Sequence, residues 1–241
     1  MDNLKLPAIL SARLEEFTKR IADAYGGSLV SIVLYGSASS GEFAENSSNL
    51  NVMVVLDDTS LASLSKACRI VNAPRFAMIS PVFFTEDHIA SSLDVFPIEF
   101  LDIIENHKVL YGKDTVTHLR VDDKNLRFQC EQELKSKLIN IKKLYLKTRN
   151  KGELESLLFS SFTSALHIMR NLLRLKGRRA PYPKEDILSE CEKAFGTDTT
   201  VLNKIRWAKN KKMALTRRDI DTLLAGLVKD LEELSSATDR L

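Results

Sequence analysis

The sequence predicts an α+β fold, in which a sheet with flanking helices is followed by an all-α helical bundle. Short runs rich in valine and isoleucine alternate with helical patterns in the first half, whereas only helical patterns follow in the second. We therefore expect two domains, residues 1–118 and 119–241. The first has 9 basic and 15 acidic residues and the second has 26 and 17, so their net charges are −6 and +9.

Composition is that of an ordinary globular protein, with 44% hydrophobic and 28% charged residues in a chain of 241. The three cysteines are far apart and form no CxxC pair, so we expect buried thiols rather than a disulfide framework or a zinc site. The chain lacks a signal peptide and a long apolar run, which predicts a cytoplasmic protein that does not bind membranes.

In the first half, apolar residues at helical spacing predict a helix over residues 5–25, which Gly26 and Gly27 end. Two buried strands follow, with a turn and a short helix between them. The next segments alternate between helical and extended patterns, and the last ends at Gly112. The predicted strands are 29–35, 51–56, 77–84 and 96–104, and the remaining predicted helices are 61–71 and 86–93.

In the second half, every periodic segment is helical. The segment 153–176 is apolar nearly all round, which indicates the central helix of a bundle. Thr216 and Asp219 have the spacing of a capping box and predict the start of the last helix. The other predicted helices lie around 134–149 and over 184–195 and 200–209.

Small and polar residues follow the first predicted strand and precede the second. Gly36-Ser37 forms a turn whose amides and hydroxyl suit phosphate oxygens, and Ser48-Asn49-Leu50-Asn51 leads into the second strand. Residues i and i+2 of a strand point to the same side, so Asn49 and Asn51 are expected to lie together. A carboxylate, Glu99, is expected on the neighbouring strand 96–104.

This ordered set resembles the polymerase-beta-type nucleotidyltransferase superfamily, in which GS is followed by SDxD and by a third acid. The bundle behind it is similar in layout to aminoglycoside nucleotidyltransferases and other minimal bacterial nucleotidyltransferases. The resemblance implies a mixed sheet and a nucleotide-binding role for Gly36, Ser37 and Ser48. It also places Asn49, Asn51 and Glu99 at the catalytic metal-ligand positions, with Glu99 as the metal-binding acid.

The departure from the family pattern concerns charge, because two aspartates are replaced by asparagines. An amide carbonyl can bind a metal but brings no negative charge, and two-metal catalysis needs carboxylates. If the protein is active, we expect Mg²⁺ to bind together with a nucleoside triphosphate; otherwise no cofactor is expected.

Nearby acids do not replace the two lost aspartates. Asp57 and Asp58 lie about 20 Å along the strand from Asn51. Glu42 and Glu45 are expected on a solvated surface. Strand alternation would send Asp102 to the face opposite Glu99.

The sequence thus predicts a nucleotidyltransferase-fold pseudoenzyme with impaired catalysis that binds a nucleotide or a partner. Two alternatives stay open: an active transferase that moves NMP to a small molecule, protein or RNA end, and a nucleic-acid or protein interaction module that uses the basic half. Trp207, among several lysines, is expected to be packed, with base stacking as the alternative. A homodimer is also expected.

Overall fold

The computed structural model describes residues 6–40, 49–178, 180–181 and 183–239. Two compact units are present, Met1–Asp122 and Asp123–Leu241. The first contains the strands β1 Leu29–Tyr35, β2 Leu50–Leu56, β3 Ile79–Phe84 and β4 His107–Gly112. Its helices are α1 Ala8–Tyr25, α2 Ser37–Ser40, α3 Leu61–Leu64, α4 Cys68–Val71, α5 Glu86–Ser92 and α6 Pro97–Glu105.

The four strands form one mixed sheet in the order β3-β2-β1-β4. Strand β1 lies in the centre and is antiparallel to both β2 and β4, whereas β2 and β3 are parallel. This register aligns Tyr35 at the end of β1 with Asn51 near the start of β2, and Asn51 with Ser80 of β3. The turn after β1 and the start of β2 therefore meet at one end of the sheet.

Alternation along the strands gives the sheet two apolar faces. Leu34 and Val52 point into one core cluster, which also contains the buried residues Leu14, Phe17 and Ile21 of α1. Val33 and Met53 point into the other, which is covered by α5 and α6 through residues such as Ile89 and Phe100. Helices on both faces of this sheet confirm the predicted α+β class.

The structure corrects one predicted element, because the segment expected to be a strand over 96–104 is the helix α6, Pro97–Glu105. Proline is favoured at the first position of a helix, where its missing N–H is not needed. The run IEFLDII is short and apolar, and such runs suit either a buried strand or a buried helix. The helix buries Ile98, Phe100 and Ile103, and this packing selects between the two.

Two further expectations about the first unit are modified. The helix predicted over 61–71 is divided into α3 and α4, with a 3-10 turn at Ser65–Ala67 between them. The thiol of Cys68 is exposed, so the prediction that all three cysteines are buried is wrong for this residue, although it is confirmed for Cys130 and Cys191.

The second unit contains the helices α7 Asp123–Lys147, α8 Lys151–Leu175, α9 Lys184–Phe195, α10 Thr200–Asn210 and α11 Arg217–Thr238. Helix α8 contacts the other four helices, as expected for an element that is apolar nearly all round. At the start of α11, Thr216 Oγ1 accepts from the Asp219 N–H, and the Thr216 N–H donates to Asp219 Oδ2 at 2.9 Å, so the capping box is confirmed. No helix in the described ranges is long and apolar enough to cross a membrane.

Helix α11 contains a buried carboxyl group, Asp230, which is 7% exposed. Its Oδ2 atom has no hydrogen-bond partner. Burial, aided by repulsion from Glu233 and Asp198, raises the pKa of Asp230 to about 6, although Lys229 acts in the opposite direction. Because the unfolded chain has the lower pKa, stability falls as pH rises from about 4 to about 6 and remains low above that range.

We expect Asp230→Asn to stabilise the protein relative to the wild type, more at neutral pH than in acid. The gain in free energy of unfolding should be about 1 to 2 kcal/mol larger at about pH 7.5 than at about pH 4.5. Urea unfolding of both proteins at the two pH values measures this difference. The exposed Glu232→Gln variant of the same helix is the control, and a gain that does not change with pH would contradict the raised pKa.

Candidate functional site

The turn after β1 is held by hydrogen bonds to the residue that follows α6. Gly36 has a φ of 77°, a left-handed conformation that glycine adopts without steric cost. Its N–H donates to the Asn106 carbonyl at 3.2 Å. The Ser39 hydroxyl contacts both the Gly36 carbonyl, at 2.8 Å, and the Asn106 carbonyl, at 2.6 Å. The position of this turn is thus tied to the junction between α6 and β4.

Asn51 lies directly beside this turn. It is partly buried and pairs with Tyr35 across the β1–β2 ladder. A Cβ atom placed on Gly36 would be 3.2 Å from Asn51 Nδ2, so a side chain at position 36 would crowd the amide. The structure therefore brings Gly36 and Asn51 together.

Of the other predicted site residues near β2, Asn49 is described and Ser48 is not. Asn49 is exposed and lies just before β2, on the approach to Asn51. Ser48, together with Glu42 and Glu45, lies outside the described residues. Ser37 begins the short helix α2 directly after Gly36.

The position of Glu99 is a correction to the sequence prediction. Glu99 is exposed on α6 and does not lie on a strand beside β2. The strand that pairs with β2 is β3, with the sequence Ile-Ser-Pro-Val-Phe-Phe, and it presents Ser80 next to Asn51. The neighbouring strand therefore provides a hydroxyl, and no carboxylate, at the end of the sheet beside the Gly36 turn.

The helical form of α6 also changes the relation between its acids. Residues three apart lie on the same side of a helix, so Glu99 and Asp102 are neighbours rather than on opposite faces. Asn106, which binds the Gly36 turn, donates its N–H to the Asp102 carbonyl. Along the helix axis, Asp102 lies about 6 Å and Glu99 about 10 Å from Asn106.

The described residues at this end of the sheet present neutral donor groups. Among the described residues, no group of three or more His, Cys, Asp or Glu side chains is arranged to hold a metal ion. The groups that meet there are the amide of Asn51, the hydroxyl of Ser80 and the phenol of Tyr35, whose pKa is raised by burial. Amides and hydroxyls are neutral ligands, whereas two hard cations require carboxylates.

A hydrogen-bonded cluster after β4 was not found by sequence reasoning. The Asp114 carboxylate accepts from the Val116 and Thr117 N–H groups and from the Thr117 hydroxyl at 2.6 Å, with His107 Nε2 at 3.3 Å. Burial acts to raise the pKa of Asp114, but these hydrogen bonds outweigh it and hold the pKa well below the usual range. The cluster fixes the start of β4, where His107 pairs with Tyr35.

Comparison with known proteins identifies solved structures that are similar in fold. No family model and no curated protein matches the sequence. One similar structure is that of spectinomycin adenyltransferase AAD(9) from Enterococcus faecialis, which was solved with ATP and spectinomycin. The two sequences are 10% identical, and the match covers 92% of this chain and 99% of that one with a TM-score of 0.58. A nucleotidyltransferase-like protein from Exiguobacterium sibiricum, at 13% identity, covers 92% of this chain and 74% of that one with a TM-score of 0.39.

The chain therefore shares the fold of the AAD(9) nucleotidyltransferase structure. The match to AAD(9) extends over the helical second unit as well as the sheet, since it covers nearly all of both chains. The resemblance inferred from Gly36-Ser37 and from the asparagine-containing motif is therefore confirmed at the level of the fold.

Proposed function

We propose that this chain is a nucleotidyltransferase-fold pseudoenzyme that binds a nucleotide but does not carry out two-metal nucleotidyl transfer. The observation that supports this is the sheet edge beside Gly36, where Asn51 and Ser80 stand side by side on β2 and β3. Position 51, where the resemblance implies an aspartate, carries an amide, and the neighbouring strand provides a hydroxyl. Each lost ligand charge removes transition-state stabilisation that two-metal chemistry depends on.

The same replacement changes how a nucleotide is held. A carboxylate-lined site repels a triphosphate until metal ions neutralise both, whereas an amide-lined site has no such repulsion. The Nδ2 group of Asn51 is a hydrogen-bond donor and lies beside the Gly36 turn. The AAD(9) structure was solved with ATP, which supports a nucleotide as the ligand. Nucleotide binding is therefore independent of magnesium in this proposal.

Calorimetry tests this dependence directly. ATP and the other nucleoside triphosphates are titrated into the protein in EDTA and, separately, in excess Mg²⁺. Binding in EDTA should be at least as tight as binding with Mg²⁺. Binding that requires Mg²⁺ would contradict an amide-lined site, and absence of binding at millimolar nucleotide would leave a protein-binding scaffold instead.

We expect Gly36→Ala to weaken nucleotide binding about tenfold, or about 1.4 kcal/mol. The new Cβ would displace the Asn51 amide, and the left-handed backbone would be strained as well. Gly196→Ala is the matched control, because Gly196 also has a left-handed φ, 66°, but a Cβ there meets no atom within 4 Å. Calorimetry and urea unfolding of both variants separate the contact from the strain; equal losses of binding would contradict the role of Asn51.

An active transferase is the competing function, and the acids of α6 are the observation in its favour. Glu99 and Asp102 lie on α6, and the residue that follows this helix, Asn106, is hydrogen-bonded to Gly36 of the turn. Incubation with α-labelled ATP and Mg²⁺, followed by analysis of protein, RNA and small-molecule acceptors, would detect transfer. Label incorporation that is abolished by Glu99→Ala would overturn the proposal, whereas incorporation that survives it would also exclude Glu99 as the metal ligand.

A further inference from the structure

Helix α10 carries the single tryptophan of the chain on an exposed face. The Trp207 side chain is 55% exposed, so the expectation that it is packed is wrong. Lys204 precedes it by one turn and Lys211 follows it by one turn, and residues at these spacings lie on the same side of a helix. Lys212 comes next and is also exposed. We call Lys204, Trp207, Lys211 and Lys212 the Trp207 surface.

The lysines of the Trp207 surface differ from other lysines of the second unit. Lys135 and Lys142 on α7 are paired with carboxylates, Lys142 to Glu232 at 2.7 Å. By contrast, no carboxylate in the described chain lies within 4.0 Å of the ammonium groups of Lys204, Lys211 or Lys212.

Two acids close to α10 are already engaged. Glu185 is hydrogen-bonded to Arg206. Asp198 accepts from the Thr200 N–H at 2.8 Å. Hydrogen bonds from Thr200 are the main cause that lowers the pKa of Asp198, and Lys204 contributes least. The Trp207 surface therefore keeps its positive charge.

Lys212 occupies a position where glycine is preferred. Its φ is 48°, and no other non-glycine residue in the described ranges has a positive φ. The Met213 N–H donates to the Ala208 carbonyl and the Lys212 N–H to the Lys209 carbonyl, which is the hydrogen-bond pattern of a Schellman C-cap. A lysine there is less favourable than glycine for the backbone, and such outliers point to a role for the side chain.

We propose that the Trp207 surface binds a single strand of nucleic acid, with a base stacked on the indole and phosphates held by the three lysines. Every base has a flat π face, so an exposed aromatic ring among cations suits a strand of any sequence. An acidic protein segment would satisfy the lysines but would leave the exposed ring of Trp207 without a planar partner. Nucleic acid is therefore the occupant that both features fit.

Because Trp207 is the only tryptophan, its fluorescence reports on the site directly. We expect a 15-nucleotide oligo(U) to quench it at low salt, with oligo(dT) as the DNA arm. Three phosphate contacts predict that log K falls with log salt at a slope of about −2. Polyphosphate, which has no bases, should compete for binding but should not quench the indole.

Variants assign the effect to individual residues, with a labelled oligonucleotide and fluorescence anisotropy as the readout. Trp207→Ala should weaken binding about fivefold or more. Lys212→Gly should weaken binding and make the salt slope shallower by about 0.7, while its urea midpoint stays equal or rises. Lys142→Ala, which removes a paired lysine, is the control and should leave affinity unchanged.

Several outcomes would overturn the proposal. One is the absence of quenching at low salt with the oligonucleotide at 0.1 millimolar or so. Another is an equal loss of affinity in Lys142→Ala and Lys212→Gly, since that indicates diffuse attraction to a basic unit. A third is that polyglutamate binds as tightly as oligo(U) and that Trp207→Ala does not weaken its binding. This result would indicate an acidic protein partner instead.

Discussion

Manganese is expected to leave the melting temperature of the wild-type protein unchanged and to raise that of a variant with three aspartates, Asn49→Asp/Asn51→Asp/Ser80→Asp. Asn51 and Ser80 are paired across β2 and β3, so carboxylates at these positions point to the same side of the sheet. Three carboxylates at one edge would restore the charge that hard cations require. At a metal concentration ten times the Kd, binding stabilises the folded state by about 1.4 kcal/mol, or about 5 °C for a unit of this size.

The measurement is thermal unfolding of each protein with and without Mn²⁺. The comparison is made within each variant, because three new carboxylates destabilise the metal-free protein by mutual repulsion. Asp57→Asn/Asp58→Asn, which removes two exposed acids beyond the end of β2, is a control that should not alter the metal response. Equal stabilisation of the wild type by Mn²⁺ would show that other acids complete the site and would contradict the loss of metal binding.

Gly112→Ala is expected to have the largest effect on stability in the first unit. Gly112 has a φ of 75°, and a Cβ there would lie 2.1 Å from the backbone oxygen of Val30. Neither strand can accommodate this contact without separating β1 from β4, where Ser31 Oγ also donates to the Lys113 carbonyl at 2.7 Å. We expect a loss of about 4 kcal/mol or more in the free energy of unfolding.

Urea unfolding monitored by circular dichroism measures this loss. Gly196→Ala is the matched control, because Gly196 has a left-handed backbone, with φ 66° and ψ 20°, but has open space around its Cβ position. Only the cost of a left-handed alanine, about 1 kcal/mol, should be seen there. Equal losses in the two variants would mean that the contact with Val30 is relieved without separating the strands.

Periodicity predicted the elements whose pattern has a single interpretation. Helix α1 buries Leu10, Leu14, Phe17 and Ile21 at helical spacing, and β1 and β2 are Val- and Ile-rich runs too short to be helices. The segment 96–104 has no single interpretation, because a short apolar run fits a buried strand and a buried helix equally. Its packing on the sheet through Phe100 and Ile103 decided the outcome, and with it the place of Glu99.

The residues of the candidate site also fall into those that the sequence identified and those that only the structure revealed. Residue types alone identified the turn at Gly36-Ser37 and the loss of charge at Asn49 and Asn51, because chemistry depends on which side chains are present. Ser80, Tyr35 and the Asp114 cluster were missed, because no local pattern connects them with Gly36. They meet it through strand pairing and hydrogen bonds between segments far apart in the chain.

By itself, the sequence predicted a nucleotidyltransferase type of fold and showed that asparagines stand at two positions where the motif has aspartates. Only the tertiary structure decided which strand adjoins β2, that this strand provides Ser80 and not an acid, and that Trp207 is exposed among lysines with no carboxylate partner in the described part of the chain. The physical reason is that side-chain chemistry and periodicity are local properties. Strand order, helix packing and exposure depend on contacts between distant segments.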